Sequence, residues 1–367
     1  MKTFDRTVLI AAVAGLFAAT LASSTALAAA SYTITDLGTL GGTQSYAYGI
    51  NASGQVVGAS NTTGDSAWHA FLYSGSTMTD LGTLGGTESW ASGINASGQV
   101  VGWAATTGDA GSHAFLYSGS TMTDLGTLGG FESDAYDIND SGQVVGDSTA
   151  TGDGARRAFL YSGSSMTELG TLSWGSLGSG INASGQVVGN YDPKGASFHA
   201  FRYSGSTMTD LGTLGGSHGW ASDINDSGQV VGRSTTTGNV ARHAFLYSGS
   251  TLTDIGTLGG TSSWATGINA SGQIVGESDV AGGGAGHAFL YSGSTMTDLN
   301  SLIEPGSSWT LTSATDINDA GQIIGMGYNF YGPTHAYLLT PVPEPTTLGL
   351  LIAGSMLLLR RQRLTQG

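Results

Sequence analysis

The sequence predicts an all-β fold, a seven-bladed β-propeller closed by its N-terminal strand. Three observations carry this expectation. The stretch Gly93-Ile94-Asn95-Ala96-Ser97-Gly98-Gln99-Val100-Val101-Gly102 recurs seven times, with Ile-Asn pairs at Ile50, Ile94, Ile138, Ile181, Ile224, Ile268 and Ile317, spaced 44, 44, 43, 43, 44 and 49 residues apart. A period near 44 fits one propeller blade better than one coil of a solenoid. Each period holds four short apolar runs bounded by Gly, Ser and Asn, with β-branched and aromatic residues inside them and no helical periodicity. The count of runs is unbalanced at the two ends in a complementary way, as shown below.

The runs are strands A to D: Tyr46 to Asn51, Gln55 to Ser60, His69 to Ser74 and Thr77 to Leu84 in the first full unit. The A–B link, Asn51-Ala52-Ser53-Gly54, reads as a hairpin turn, since Asn bonds its own backbone and Gly takes positive φ. The C–D link, Ser74-Gly75-Ser76, is equally tight. Before the first A strand, Tyr32 to Leu40 reads as a D strand with no A, B or C of its own; after the last C strand, His335 to Thr340, no D follows. The orphan D completes the last unit and closes the ring, which removes open sheet edges. An open β-solenoid is the alternative fold.

The two ends of the 367-residue chain read as addresses. Residues 1–28 have a charged start, an apolar run from about Val8 to Ala19 and a small-residue cleavage site at Ala26-Leu27-Ala28, the pattern of a secretory signal peptide; a single-pass anchor is the alternative. Residues 30–341 hold the repeats. Residues 342–363 contain Pro343-Glu344-Pro345, an apolar segment over 346–359, and a basic cluster with Arg360, Arg361 and Arg363. Fourteen helical residues rise only about 21 Å, short for a permanent span. The basic cluster stays on the cytoplasmic side and places the repeats outside.

The chain has no cysteine, so burial and strand pairing alone hold the fold. Net charge is −15; between Ala30 and Pro341 six basic and twenty-four acidic residues give −18. Such a surface repels nucleic acid and anionic membranes.

Two resemblances follow from these motifs. Strand C recurs as His-Ala-Phe-Leu-Tyr at His69, His113, His243 and His287, and the repeats from about Tyr32 to Leu339 resemble the extracellular HAF-repeat family. That resemblance implies export and a repeat architecture, and no established chemistry. The C-terminal pattern resembles the PEP-CTERM sorting signal of Gram-negative bacteria, cut by a membrane protease of the exosortase type. It implies secretion machinery and such a protease as partners, transient inner-membrane anchoring of the precursor through 346–359, and a mature protein that is extracellular or at the cell surface. A plain tail anchor is the alternative.

Candidate chemistry is sparse. His69 and its equivalents occur six times, whereas a catalytic residue is needed once; a strand-start hydrogen bond to a D-strand Asp accounts for them. Asp137-Ile138-Asn139-Asp140-Ser141-Gly142, with copies at Asp223 and Asn225 and at Asp316 and Asn318, partly resembles the start of a calcium loop. No Glu follows at position twelve, where Ser148 stands, and four other units carry Gly for the first Asp yet keep the turn. The turn is the favoured reading, with these residues as weak calcium candidates. Asn-x-Ser at Asn51 and its equivalents matches a glycosylation acceptor that the turn also explains. No cofactor signature and no catalytic motif stands out.

Variation concentrates in the B–C segments, such as Ala59 to Trp68 and Arg233 to Arg242, on the face that they share with the D–A links. Five of the six cations of the repeats, Arg156, Arg157, Lys194, Arg233 and Arg242, fall in or at the end of B–C segments of three neighbouring units. With Tyr191 and Phe198 they form a candidate ligand site for an acidic exopolysaccharide; local charge pairing with Asp147, Asp153, Asp192 and Asp223 is the alternative. The expected function is an exported, non-enzymatic binding or matrix module of the cell surface, associated with extracellular polysaccharide. A polysaccharide-active propeller enzyme, or a purely structural surface protein, are the alternatives.

Overall fold

The repeated turn Asn51-Ala52-Ser53-Gly54 shows how this sequence dictates its local structure. Asn51 Oδ1 accepts from the backbone N–H groups of Ser53 and Gln55 at 3.1 and 3.0 Å, and Gly54 takes φ of +78°. The turn therefore satisfies its own backbone, and a strand pairs on either side of it. The computed structural model describes residues 32–342, apart from 153, 171–174, 194, 196 and 331. The signal-peptide residues, Lys194 and the whole C-terminal sorting pattern from Pro343 onward lie outside the described residues. Among the described residues no helix is long and apolar enough to cross a membrane. Thr33–Pro341 make up one compact unit; of the other unit, 1–32 and 342–367, only Tyr32 and Val342 are described.

The chain is all-β, built from four-stranded antiparallel sheets. In the first, strands A (Gly41–Ile50), B (Val56–Thr62), C (Trp68–Ser74) and D (Thr77–Asp80) follow in order. Strand D ends four residues earlier than the sequence suggests, and strand A starts five earlier, because Gly41 pairs with Thr62 across a register shift. The pattern repeats down the chain. Two of the four-stranded groups are joined into one eight-stranded sheet by the single parallel bridge Arg242–Ser262. In the last sheet, Trp309–Ile317, Ile323–Asn329 and Thr334–Pro341 supply three strands, and Tyr32–Asp36 is the fourth, beside Thr334–Pro341. Leu37 N–H donates to the Ala336 carbonyl at 3.0 Å, and His335 Nδ1 meets the Asp36 carboxylate at 3.0 Å.

Both faces of each sheet are covered. In strand C, consecutive residues Ala70 and Phe71 point to opposite faces and both are fully buried. Phe71 packs with Ile324, Ala336 and Leu338 of the last sheet, whereas Ala70 packs with Ala91, Ile94 and Phe115 of the next. The core is thus a series of apolar layers between neighbouring sheets, and each layer needs two units.

One glycine per unit is fixed by contact. A Cβ on Gly58 would stand 1.9 Å from the Tyr46 carbonyl oxygen, and one on Gly102 1.9 Å from that of Trp90. The close approach comes from a register shift between Ala47 and Gly49 that inserts Tyr48 as an unpaired residue. The strand bends there, and the extra residue lines a cavity shared by several units.

The Asn side chains link the units. Asn51 Nδ2 donates to the Asn95 carbonyl at 3.1 Å, and the pattern passes through Asn139, Asn182, Asn225, Asn269 and Asn318, whose Nδ2 returns to the Asn51 carbonyl at 3.0 Å. All seven side chains are buried. Replacing Asn95 by Ala strands several buried donors and acceptors, each worth about 1–3 kcal/mol. Urea unfolding should show a lower midpoint for Asn95→Ala by an amount matching at least about 2 kcal/mol, with Ser97→Ala close to wild type. Equal midpoints for all three proteins would contradict the role given to this ring.

Candidate ligand-binding site

The units differ most tellingly at one cross-strand pair, one residue on strand A and its partner on strand B. The pairs are Tyr46 with Ala59, Trp90 with Trp103, Asp134 with Asp147, Leu177 with Asn190, Trp220 with Arg233, Trp264 with Glu277, and Ser313 with Met326. The strand-A member stands two residues before the bulge residue, and the strand-B member follows the invariant Gly. The backbone is therefore constant while the side chains change. Eleven of these residues, with the bulge residues Tyr48, Tyr136 and Thr315, line a cavity of about 850 Å³.

The wall is aromatic on two sides. Trp90 stacks on Trp103 with centroids 6.2 Å apart, and Trp68 lies between Tyr46 at 5.1 Å and Trp90 at 5.2 Å. Across the cavity, the Arg233 guanidinium lies 4.8 Å from the Trp220 ring and 4.1 Å from the Trp264 ring. His218 stacks on the same Trp220 at 5.4 Å. Phe198, 40 % exposed, stands 6.2 Å from Trp220. Such an apolar, concave wall with a few polar groups is the usual form of a ligand site.

The sequence-predicted site residues divide. Arg156 is taken up by carboxylates: Asp134 at 2.5 Å, Asp147 at 2.8 Å and Glu132 at 3.1 Å. Burial pushes the Asp147 carboxyl up to about 6 against the lowering effect of Arg156, while neighbouring Asp134 adds to the rise. Arg157 stands where other units have His and meets Glu168 at 3.1 Å, just as His69 meets Asp80 at 2.8 Å. For these two arginines local pairing is the observed role. Tyr191 donates to Asp210 at 3.3 Å and packs edge-on against Phe201, away from the cavity. Phe198 and Arg233 line the cavity, and Arg242 reaches Trp220 at 5.8 Å. Lys194 lies outside the described residues.

The placement of the cations in B–C loops needs correction. Arg233 is inside strand B, Val230–Thr236, opposite Ala244; Arg156, Arg157 and Arg242 belong to strand C of their units. Polar Ser and Thr residues at the strand ends keep pairing, so the true loops shrink to turns such as Thr237–Asn239. Sequence reasoning also passed over Trp90, Trp103, Trp264, Asp134 and Glu277. Reading the two positions beside the bulge unit by unit is the signal that finds them.

The calcium candidates occupy two other places. Asn139, Asn225 and Asn318 are committed to the turns, each Oδ1 accepting backbone N–H groups and each Nδ2 donating. Asp137, Asp223 and Asp316 lie deeper in the channel, around a cavity of about 120 Å³. Each holds its own unit's Ile N–H and that of the following unit: Asp137 takes Ile138 and Ile181, Asp223 takes Ile224 and Ile268, and Asp316 takes Ile317 and Ile50, all between 2.7 and 3.0 Å. Where a unit lacks this Asp it has Gly, and a Cβ on Gly93 or Gly267 would come within 3.0 Å of the Asp-bearing backbone beside it. Among the described residues no group of three or more His, Asp or Glu side chains is placed to hold a metal ion.

Comparisons with known proteins agree on the fold. Residues 209–331 match the family described as "Protein of unknown function (DUF3466)". No curated protein matches the chain. The β-propeller domain of the trilobed protease from Pyrococcus furiosus is similar at 9 % identity and TM-score 0.53, over 83 % of this chain and 99 % of that domain. A puromycin-hydrolysing peptidase of Mycobacterium tuberculosis is similar at 11 % identity and TM-score 0.53, over 86 % of this chain and 55 % of that one. TolB from Acinetobacter baumannii is similar at 12 % identity and TM-score 0.45, over 66 % of this chain and 63 % of that one. The chain thus spans less than two thirds of the length of TolB and of the peptidase. For the protease domain and the peptidase the likeness is one of propeller-like fold alone.

Burial and mutual repulsion push the carboxyls of Asp137 and Asp316 up to about 7, and burial raises that of Asp223. A raised carboxyl pKa means that the folded chain binds more protons than the unfolded chain between about pH 4 and pH 7. The contribution of these groups to stability is therefore greatest near pH 4 and declines as pH rises through about 7. Denaturant unfolding of the wild type at pH 5 and pH 8, beside an Asp137→Asn, Asp316→Asn variant, checks this. The variant should lose less stability over that interval; an equal or steeper loss would contradict the assignment.

Proposed function

We propose that this protein is an exported seven-bladed propeller, closed by its N-terminal strand, that binds polysaccharide at the cell surface without cleaving it. The observation that carries the binding reading is the aromatic wall of the 850 Å³ cavity, where Trp90 and Trp103 on one side face the Trp220–Trp264 pair on the other. The C–H faces of a pyranose ring pack flat against an indole, and this contact buries apolar area while leaving the hydroxyls free to bond water or polar side chains. The ring reading is supported by the pairing of Tyr32–Asp36 with the last sheet and by the returning Asn hydrogen bond. Export rests on the signal-peptide pattern and on the resemblance of residues 342–363 to a sorting signal. The proposed partners are accordingly secretion machinery, an exosortase-type protease and an extracellular polysaccharide.

A polysaccharide-cleaving enzyme is the second reading, and one observation favours it. Glu277 lines the cavity, and burial, with Asp279 nearby, pushes its carboxyl above the usual range, as a proton donor to a glycosidic oxygen requires. Reducing-end release from a polysaccharide panel, lost in Glu277→Gln, would establish that reading in place of simple binding.

Three measurements test the proposal. Titration of the mature protein with soluble glucans and uronans should show binding that weakens about tenfold or more in Trp90→Ala and Trp264→Ala, the loss of roughly 1.4 kcal/mol each. Wild-type affinity in both variants would refute the binding site. Deleting residues 32–40 should lower the unfolding midpoint of the whole protein in one cooperative step, and an unchanged midpoint would refute closure by that strand. Intact mass from the native host should lack residues 346–363; a mass that retains them means a plain anchor.

A further inference from the structure

The cations of this acidic chain are mostly neutralised in place. Among the described residues six histidines meet Asp side chains, Arg156 meets three carboxylates and Arg157 meets Glu168. Among the described residues neither Arg233 nor Arg242 is ion-paired to a carboxylate, and both lie against aromatic rings. Both guanidinium groups approach Trp220, at 4.8 and 5.8 Å, and Trp264 covers Arg233 at 4.1 Å. The buried Nε of Arg233 has no hydrogen-bond partner. Burial and the neighbouring Arg242 both push the Arg233 guanidinium below its usual value. A partly buried guanidinium held beside a like charge is costly unless something anionic offsets it.

The geometry suits one kind of offset. A guanidinium between two indole rings is fixed in plane, so its N–H fork is pre-organised for a planar, bidentate acceptor such as a carboxylate. Arg233 lines both the large cavity and a side pocket of about 160 Å³ that also contains Arg242, Glu277 and Asp279. The two acids on that wall disfavour a densely charged polyanion. They favour a ligand that brings hydroxyl donors together with no more than one negative charge per sugar unit.

We propose that this cleft is the carboxylate-recognising subsite of the binding cavity: Arg233, supported by Arg242, takes the carboxylate of a hexuronate unit, and Glu277 accepts from its hydroxyls. The inference rests on the saccharide-binding reading above and names the sugar class. The aromatic side at Trp90 and Trp103 then holds adjoining units of the same chain whatever their charge.

The test uses the mature protein with three probes: oligogalacturonate, a neutral cello-oligosaccharide and dextran sulfate. The wild type should bind oligogalacturonate at least tenfold more tightly than the neutral oligomer, and added salt should weaken only the first. Arg233→Gln with Arg242→Gln should remove that preference, bringing oligogalacturonate affinity down to that of the neutral oligomer. Arg242→Gln alone, distant from the core layers, gives a partial loss should the double variant fail to fold. Equal oligogalacturonate affinity in wild type and folded variants overturns the subsite, as does tighter binding of dextran sulfate than of oligogalacturonate. If the wild type binds the neutral oligomer through Trp90 yet shows no preference for oligogalacturonate, the subsite fails while the saccharide reading stands. If it binds none of the probes, both fail.

Discussion

The cycle of buried Asn side chains is the constraint on which the rest depends. Each Asn closes its own turn with Oδ1 and reaches the next unit's carbonyl with Nδ2. One side chain therefore ties local geometry to the contact between units. Because it is buried, failure at any unit leaves donors and acceptors that water cannot reach. The apolar layers add the driving force: Phe71 and Ala70, on opposite faces of one strand, belong to layers shared with different neighbours. No unit can be stable without those on either side, so the array tolerates little change in its framework.

That rigidity is what makes variation at the wide end of the channel useful. The glycine after each Val-Val or Ile-Val pair must accept a carbonyl oxygen against its Cα, which fixes the bulge and so the direction of the residues around it. The side chains beside the bulge are free to differ because their own backbone does not. A Trp pair, a carboxylate pair held by an arginine, and an arginine held by two tryptophans thus occupy equivalent positions around one cavity. Binding groups on strands rather than loops are held with little freedom, which lowers the entropy lost on binding.

The charges follow a division between pairing and placement. The His–Asp contacts at the starts of the C strands recur in six units and are partly exposed, so each contributes little. Asp137, Asp223 and Asp316 are different, since each holds N–H groups of two units. They tighten the channel below the cavity at the expense of mutual repulsion, relieved when they take up protons. The three carboxyls line one cavity of about 120 Å³.

The sequence by itself determined the repeat, its four strands, the Asn-Gly turns and the orphan first strand, because each depends on residues within a few positions of one another or on the period itself. It also placed Phe198 and Arg233 among the candidate ligand residues. Tertiary structure alone decided that Arg156 and Arg157 are spent on carboxylates, and that Trp90, Trp103, Trp220, Trp264, Asp134 and Glu277 face one space. The physical reason is that these residues come from several repeats, up to 187 positions apart from Trp90 to Glu277. Residues of different units become neighbours only when the sheets stack. Strand periodicity shows which face of a strand a residue shares, but not which residues of other units face it, so the cavity could not be read before the sheets were seen together.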